Sequence, residues 1–255
     1  MQELIADLVA EQDQLDAAIR DVPAGRWEAD SPAGGWKMRD CIAHLAEFDD
    51  LAAEIAETGA YPGRGREGEG VLSAGQVEAR TLSIPVLLAS WRRARARLAA
   101  ALRPLDERAR LPWAGNEMSV RSFTTARLME CWSHGLDARD AAGVPAEDTD
   151  RLRHVAHLGY ATRPYAYRTN GLPVSAEPLR VEVVSPSGQL WTWGPEDAAN
   201  RIMGSASDYC RVVTRRIHYL DTELVATGEA ARQFLLIAQA FAGPPGEGRA
   251  PKGEA

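Results

Sequence analysis

Cysteine is scarce: Cys41, Cys131 and Cys210 are the only three in 255 residues, widely spaced and odd in number. They form no CxxC pair and no disulfide framework, which excludes a stapled secreted domain and predicts a reducing, cytoplasmic setting. Long apolar runs are missing too. No stretch approaches the roughly 20 apolar residues that span a bilayer, so no membrane association is expected. The first twenty residues, MQELIADLVAEQDQLDAAIR, are acidic and amphipathic and lack the basic and apolar regions of a secretory signal. Positive charge is in deficit, with 29 Lys and Arg against 36 Asp and Glu, a net charge of −7 and a pI near 5.4. That balance argues against a nucleic-acid surface, which needs a basic face for phosphate. Arg92, Arg93, Arg95 and Arg97 cluster locally, but on a predicted helix, where a solvated face is the expectation. GxGxxG and P-loop fingerprints are absent, removing the usual nucleotide motifs.

What is present is helical patterning followed by a change of texture. Leu4, Ile5, Leu8, Leu15 and Ile19 mark a first helix, and Lys37 to Thr58 a second. The second runs into the Gly-rich, charged YPGRGREGEG, read as a loop. A third helix is expected within Gly75 to Arg103, its start uncertain at Pro85. A fourth runs from a Ser119 N-cap to about Ala142, and another from Asp148 to about Arg163. Beyond Asn170-Gly171-Leu172-Pro173, LRVEVVSP and QLWTWG read as strands joined by Pro186-Ser187-Gly188. Helical segments near Ser205 to Arg216 and Glu229 to Ala242 flank a short TELVAT strand. The expected organisation is mainly α: a four-helix bundle domain over 1–170, a small α+β domain over 171–243, and a disordered tail over 244–255.

Chemistry concentrates on the second and fourth helices. Cys41, His44, Leu45, Phe48, Ala52 and Ile55 share one face, so His44 belongs on buried surface. Such a histidine is usually a satisfied core residue, unless partners converge on it. Glu130 and His134 are four apart and share a helix face, with Asp137 extending the stripe and Met129, Trp132 and Leu136 forming the apolar arc beside it. A carboxylate beside an imidazole at a buried border costs energy unless paired or bound to a cation; an ordinary surface Glu–His pair is the alternative. His₂Glu with an open position is a zinc arrangement used in catalysis, and nickel, iron or manganese also accept it. Asp137 can orient a ligand histidine, act as base or be solvated; Asp40 can support His44 or cap the helix start. His154 and His157 lack a matching carboxylate and read as structural, and no cysteine has a base partner that would make it a nucleophile.

The strings GGWKMRDCIAHLAEFDDLA and ARLMECWSHGLDARDAAG resemble the DinB-like metal-binding family, in particular its mycothiol-dependent maleylpyruvate isomerase group and an actinobacterial metal-binding subgroup. The resemblance implies an up-and-down four-helix bundle with a metal near one end of its core, held at positions matching His44, Glu130 and His134. It also implies that LRVEVVSPSGQLWTWGPEDA opens a small sterol-carrier-like α+β domain; Arg215 and Arg216 resemble a position where these isomerases place a functional arginine, and stabilising a helix C-terminus explains them equally. A divalent metal, zinc first, and mycothiol as cosubstrate follow as expectations, with a small-molecule substrate and thiol-dependent isomerisation or transfer as the chemistry. A thiol-independent metal lyase, cyclase or hydrolase, or a non-catalytic metal- and ligand-binding protein, are the alternatives. A homodimer through exposed bundle faces is compatible with the sequence.

Overall fold

Apolar residues at helical spacing dictate the first half of the molecule. In the computed structural model, which describes residues 1–62, 72–113, 116–246 and 248–252, α1 spans Gln2–Ile19 and buries Leu4, Ile5, Leu8, Leu15 and Ile19. Helix α2, Met38–Thr58, starts where the Asp40 carboxylate accepts from the Lys37 backbone N–H at 2.8 Å, and ends at Gly59, whose φ of 70° suits a residue without Cβ. Asp40 is therefore a cap; it also pairs with Arg80 at 2.6 Å. The region expected to hold a third helix divides into α3, Ala74–Ala79, and α4, Ile84–Leu102. Pro85 sits in the first turn of α4, where a missing N–H leaves no hydrogen bond unmade. Ser119 caps α5, Val120–Ala142, by accepting from the Ser122 N–H. The Gly-rich loop predicted after α2 falls largely on 63–71, outside the described residues.

Helices α1, α2, α4 and α5 form the bundle. Helix α2 packs between α4 and α5, and α1 packs on α5 and α4. Each buried Leu or Ile in these seams contributes about 1.5–3 kcal/mol. The helices do not alternate strictly, as an up-and-down bundle would. Asp49 meets Trp91 and Glu57 meets Arg97, so α2 and α4 run parallel, whereas Asp49 meets Arg127 and His44 meets Glu130, so α2 and α5 run antiparallel. Helix α3 lies against the start of α2, where the Gln76 amide donates to the Asp40 carbonyl and Arg80 pairs with Asp40, so α4 begins at that end. The arginine cluster on α4 is not simply solvated: Arg92 and Arg95 pair with Asp16, and Arg97 with Asp50 and Glu57.

A hairpin absent from the sequence reading precedes α5. Strands β1, Arg110–Trp113, and β2, Asn116–Ser119, pair antiparallel, with Leu111 opposite Met118 and Trp113 opposite Asn116. The hairpin packs on α2 and α5.

The chain divides into two compact units, Met1–Ala146 and Glu147–Ala255. The division lies earlier than the expected residue 170, because helix α6, Leu152–Ala161, packs its buried Leu152, Val155 and Ala156 face on α8, Ala206–Val213. At that contact a Cβ on Gly159 would lie 2.7 Å from a Val213 methyl. Helix α7, Arg163–Thr169, and helix α9, Glu229–Ile237, complete the helices of this unit. The sheet, in order β4-β3-β5-β6, comprises β3 (Leu179–Val184), β4 (Leu190–Trp193), β5 (Asn200–Ser205) and β6 (Val225–Thr227). Strand β5, a segment the sequence analysis leaves unassigned, runs parallel to β3, while the other pairs are antiparallel. One sheet face buries Leu179, Val181, Val183, Trp191 and Ile202. In the tail, 244–246 and 248–252 carry no helix or strand, and the Lys252 N–H donates to Asp221 at 3.0 Å; the remaining tail residues lie outside the description. No described helix is long and apolar enough to cross a membrane.

Candidate metal centre

His44, Glu130 and His134 converge across the α2–α5 seam. Their ligand atoms lie within 4.8 Å of one another. His44 Nε2 is 3.4 Å and His134 Nε2 3.3 Å from the same oxygen, Glu130 Oε2. Antiparallel packing brings an early residue of α2 to the middle of α5, and i, i+4 spacing sets Glu130 and His134 on one face. Both histidines are buried, while the Glu130 side chain keeps 19% exposure.

Burial pushes the His44 imidazole down to about 4, with His134 beside it acting in the same direction. It is neutral at physiological pH, the form that ligates metals. Burial alone would raise the Glu130 carboxyl, but hydrogen bonds to His134 and His44 outweigh it and hold Glu130 well below the usual carboxylate range. Asp137 is fully buried, with Oδ2 3.4 Å from His134 Nδ1. His134 thus has a carboxylate at each ring nitrogen. Of the readings open for Asp137, the solvated one does not fit this burial.

Aromatic rings enclose the cluster. Trp36 stacks on His134 at 5.3 Å between centroids and tilts against His44 at 5.0 Å, and Phe48 lies 4.3 Å from the His44 ring. The Trp36 indole N–H is buried and has no hydrogen-bond partner among the described residues. Two neutral-capable imidazoles and two carboxylates, buried together, carry an excess of negative charge that favours a cation. The donor set and the spare indole donor fit a divalent metal carrying one further ligand.

Next along the seam is a buried ion pair that the sequence reading did not single out. Arg127 Nε and Nη2 donate to Asp49 Oδ1 at 3.1 and 2.9 Å, and Gln12 and Trp91 donate to Asp49 Oδ2. Burial pushes the Asp49 carboxyl up against the pull of Arg127. Arg127 is spaced three residues before Glu130, a sequence signal for a shared face; Asp49 has no such mark, because its partners lie on three other helices.

The remaining candidates lie elsewhere. Arg215 and Arg216 belong to the second unit, after α8. Arg215 adopts a φ of 57°, donates to the Ala238 carbonyl and lies over the Phe241 ring at 5.7 Å. Arg216 is buried, its guanidinium donating to the Thr214 carbonyl at 2.7 Å. His157 accepts from the Trp193 indole at 3.1 Å, a structural bond within the second unit. Burial pushes the Cys131 and Cys210 thiols well up, against any nucleophilic role.

A mainly helical fold with a His₂Glu cluster in its bundle defines a class, and comparison with known proteins supplies the family. Residues 8–139 match the family described as Mycothiol maleylpyruvate isomerase N-terminal domain, and the chain belongs to that family. Residues 175–227 match a second family, described as Wyosine base formation. Two uncharacterized proteins of Mycobacterium tuberculosis, from strains CDC 1551 and H37Rv, are each 45% identical over 250 residues, covering 96% of this chain and 97% of the relative. Among solved structures, a mycothiol-dependent maleylpyruvate isomerase superposes with a TM-score of 0.56 at 18% identity, covering 88% of this chain and 91% of that one. A point mutant of such an isomerase gives 0.55 at 19%, covering 84% and 88%. At these identities the likeness concerns the fold.

Proposed function

We propose that this protein is a divalent-metal-dependent enzyme acting on a small organic substrate, with His44, Glu130 and His134 as the metal ligands and a thiol, mycothiol, as cosubstrate in an isomerisation or transfer. The observation that carries the reading is the convergence of two imidazoles and a carboxylate from two helices. Membership of the isomerase family supports the thiol and the reaction class. Zinc is the first choice of metal, on the ligand chemistry alone.

When bound, the metal would supply Lewis acidity and lower the pKa of a coordinated thiol. The protein's own residues do the rest. His44, neutral through burial, can carry its one ring proton on Nδ1 and so leave Nε2 to a metal. Asp137 Oδ2 lies 3.4 Å from His134 Nδ1, where its charge would favour a proton on Nδ1 and leave Nε2 for ligation. The Trp36 ring packs on both histidines and its buried N–H is a donor without a partner among the described residues. Asp137 is proposed here as the residue that orients His134; Arg215 and Arg216 already bond the Ala238 and Thr214 carbonyls within the second unit.

Metal analysis of protein purified without a histidine tag tests the centre. About one equivalent of metal is expected, falling to background in His44→Ala. Sub-stoichiometric metal unaffected by that substitution would remove the proposal. Titrating the metal-loaded protein with mycothiol tests the thiol step separately: a metal–thiolate absorption band is expected, and none at millimolar thiol would leave the metal centre without its cosubstrate.

A further inference from the structure

The sheet of the second unit has one packed face and one bare face. Strand alternation turns every second side chain away from the buried side. On the bare side Leu190 is 63%, Val225 54%, Val184 48% and Met203 37% exposed, one apolar side chain from each of the four strands. A groove of about 430 Å³ lies on this face. Val184, Leu190 and Met203 line it together with Glu182, Asp208 and Glu223, and Gly204 and Ser205 complete it. That volume lies at the small end of the range that holds one small ligand.

The fold explains how two of the acids come together. Asp208 stands in the first turn of α8, directly after β5. The β5–β6 register pairs Met203 with Val225, and two residues further it sets Glu223 beside Ser205. Both carboxylates therefore belong to the end of the groove where β5 passes into α8.

Charge then decides what the groove suits. Every charged side chain lining it is acidic. Glu182 is already offset, with Arg180 Nε at 3.1 Å and Arg201 Nη1 at 3.3 Å. Those arginines also donate to the Gly194 and Glu196 carbonyls, which ties both down beside Glu182. Asp208 and Glu223 have no ion-pair partner among the described residues. The α8 N-terminus carries at most roughly half a positive charge, too little to offset two carboxylates. An apolar face with an uncompensated acidic end is complementary to a cation with an apolar body, which covers the one and pairs with the other.

We propose that this groove binds a small organic cation, an alkylammonium group held at the Asp208–Glu223 end with its hydrocarbon chain over Val184, Leu190 and Met203. The site belongs wholly to the second unit and does not rest on the metal centre.

Hexylamine, hexanol, hexanoate and methylamine are the probes, titrated against the full chain with dissociation constants read by ligand-observed NMR. Hexylamine is expected to bind about tenfold more tightly than hexanol, the step of one charge-assisted hydrogen bond. Methylamine, which keeps the charge without the chain, should bind at least about tenfold more weakly than hexylamine. The double variant Asp208→Asn, Glu223→Gln is expected to bring hexylamine to the level of hexanol. Should it fail to fold, Glu223→Gln alone, at an exposed position, carries the comparison with a loss of about threefold. His44→Ala is expected to leave every constant unchanged. No saturable binding of hexylamine at tens of millimolar, equal binding of hexylamine and hexanol, or tighter binding of hexanoate would overturn the inference. So would an amine preference that survives removal of the acids, or one lost in His44→Ala, which would put the amine on the metal. Sedimentation addresses the other occupant, a second copy of this chain: Leu190→Glu is expected to leave the sedimentation coefficient unchanged, and an assembly that it dissociates would assign the face to that copy instead.

Discussion

His134 shows how much one side chain depends on the groups behind it. Its Nε2 lies 3.3 Å from Glu130 and its Nδ1 3.4 Å from Asp137, a residue that need never touch a metal. Asp137→Asn removes the charge while keeping the shape, and is expected to weaken metal binding about 10- to 100-fold, measured by competition with a chelator of known affinity. An affinity equal to that of the unsubstituted chain would assign Asp137 a packing role. The cysteines make the opposite case. Burial raises the Cys131 and Cys210 thiols, and Cys41 is buried as well. Since a raised thiol pKa lowers the thiolate fraction at every pH below it, the native protein should react slowly with Ellman's reagent at pH 8 and yield its three thiols only when unfolded. Rapid labelling of the native state would contradict the burial.

Helix α5 carries two kinds of polar residue on one stripe. Glu130 and His134 belong to a cluster that could hold a cation, whereas Arg127 has its counter-charge built in on α2. Breaking a buried ion pair from one side leaves the other charge stranded, so Arg127→Met is expected to destabilise the fold by about 3–5 kcal/mol in urea unfolding. Replacing Asp49 by Leu in the same chain should recover much of that loss. A single substitution that cost less than about 1 kcal/mol would mean that Asp49 finds water or another partner. Helix periodicity made α1, α2, α4 and α5 legible, and the i, i+4 spacing of Glu130 and His134 was visible too. The hairpin was not. Its strands are four residues each, one contains Pro112, and their stability comes from packing on α2 and α5, which no local pattern encodes.

The division at Ala146/Glu147 makes the first unit separable in principle: its core cluster, from Leu15 to Ala142, and all three candidate ligands belong to it. Residues 1–146 alone are expected to fold as a helical unit and retain about one equivalent of metal, checked by circular dichroism and metal analysis. An unfolded fragment would show that the second unit is needed for stability.

At the scale of the molecule, the sequence by itself determined which segments are helical, where the texture changes to strands, and that His44, Glu130 and His134 stand on faces bound for the interior. These follow from periodicity and capping, which are local. Resemblance to the isomerase family added the expectation that the three meet. The tertiary structure alone decided the parallel course of α2 and α4, the Arg127–Asp49 pair between helices, and the packing of Trp113 on Phe48 and Phe123. It also set the unit boundary, because α6 finds its apolar partner in α8. Each depends on contacts between residues far apart in the chain, and long-range packing leaves no periodic trace in a single sequence.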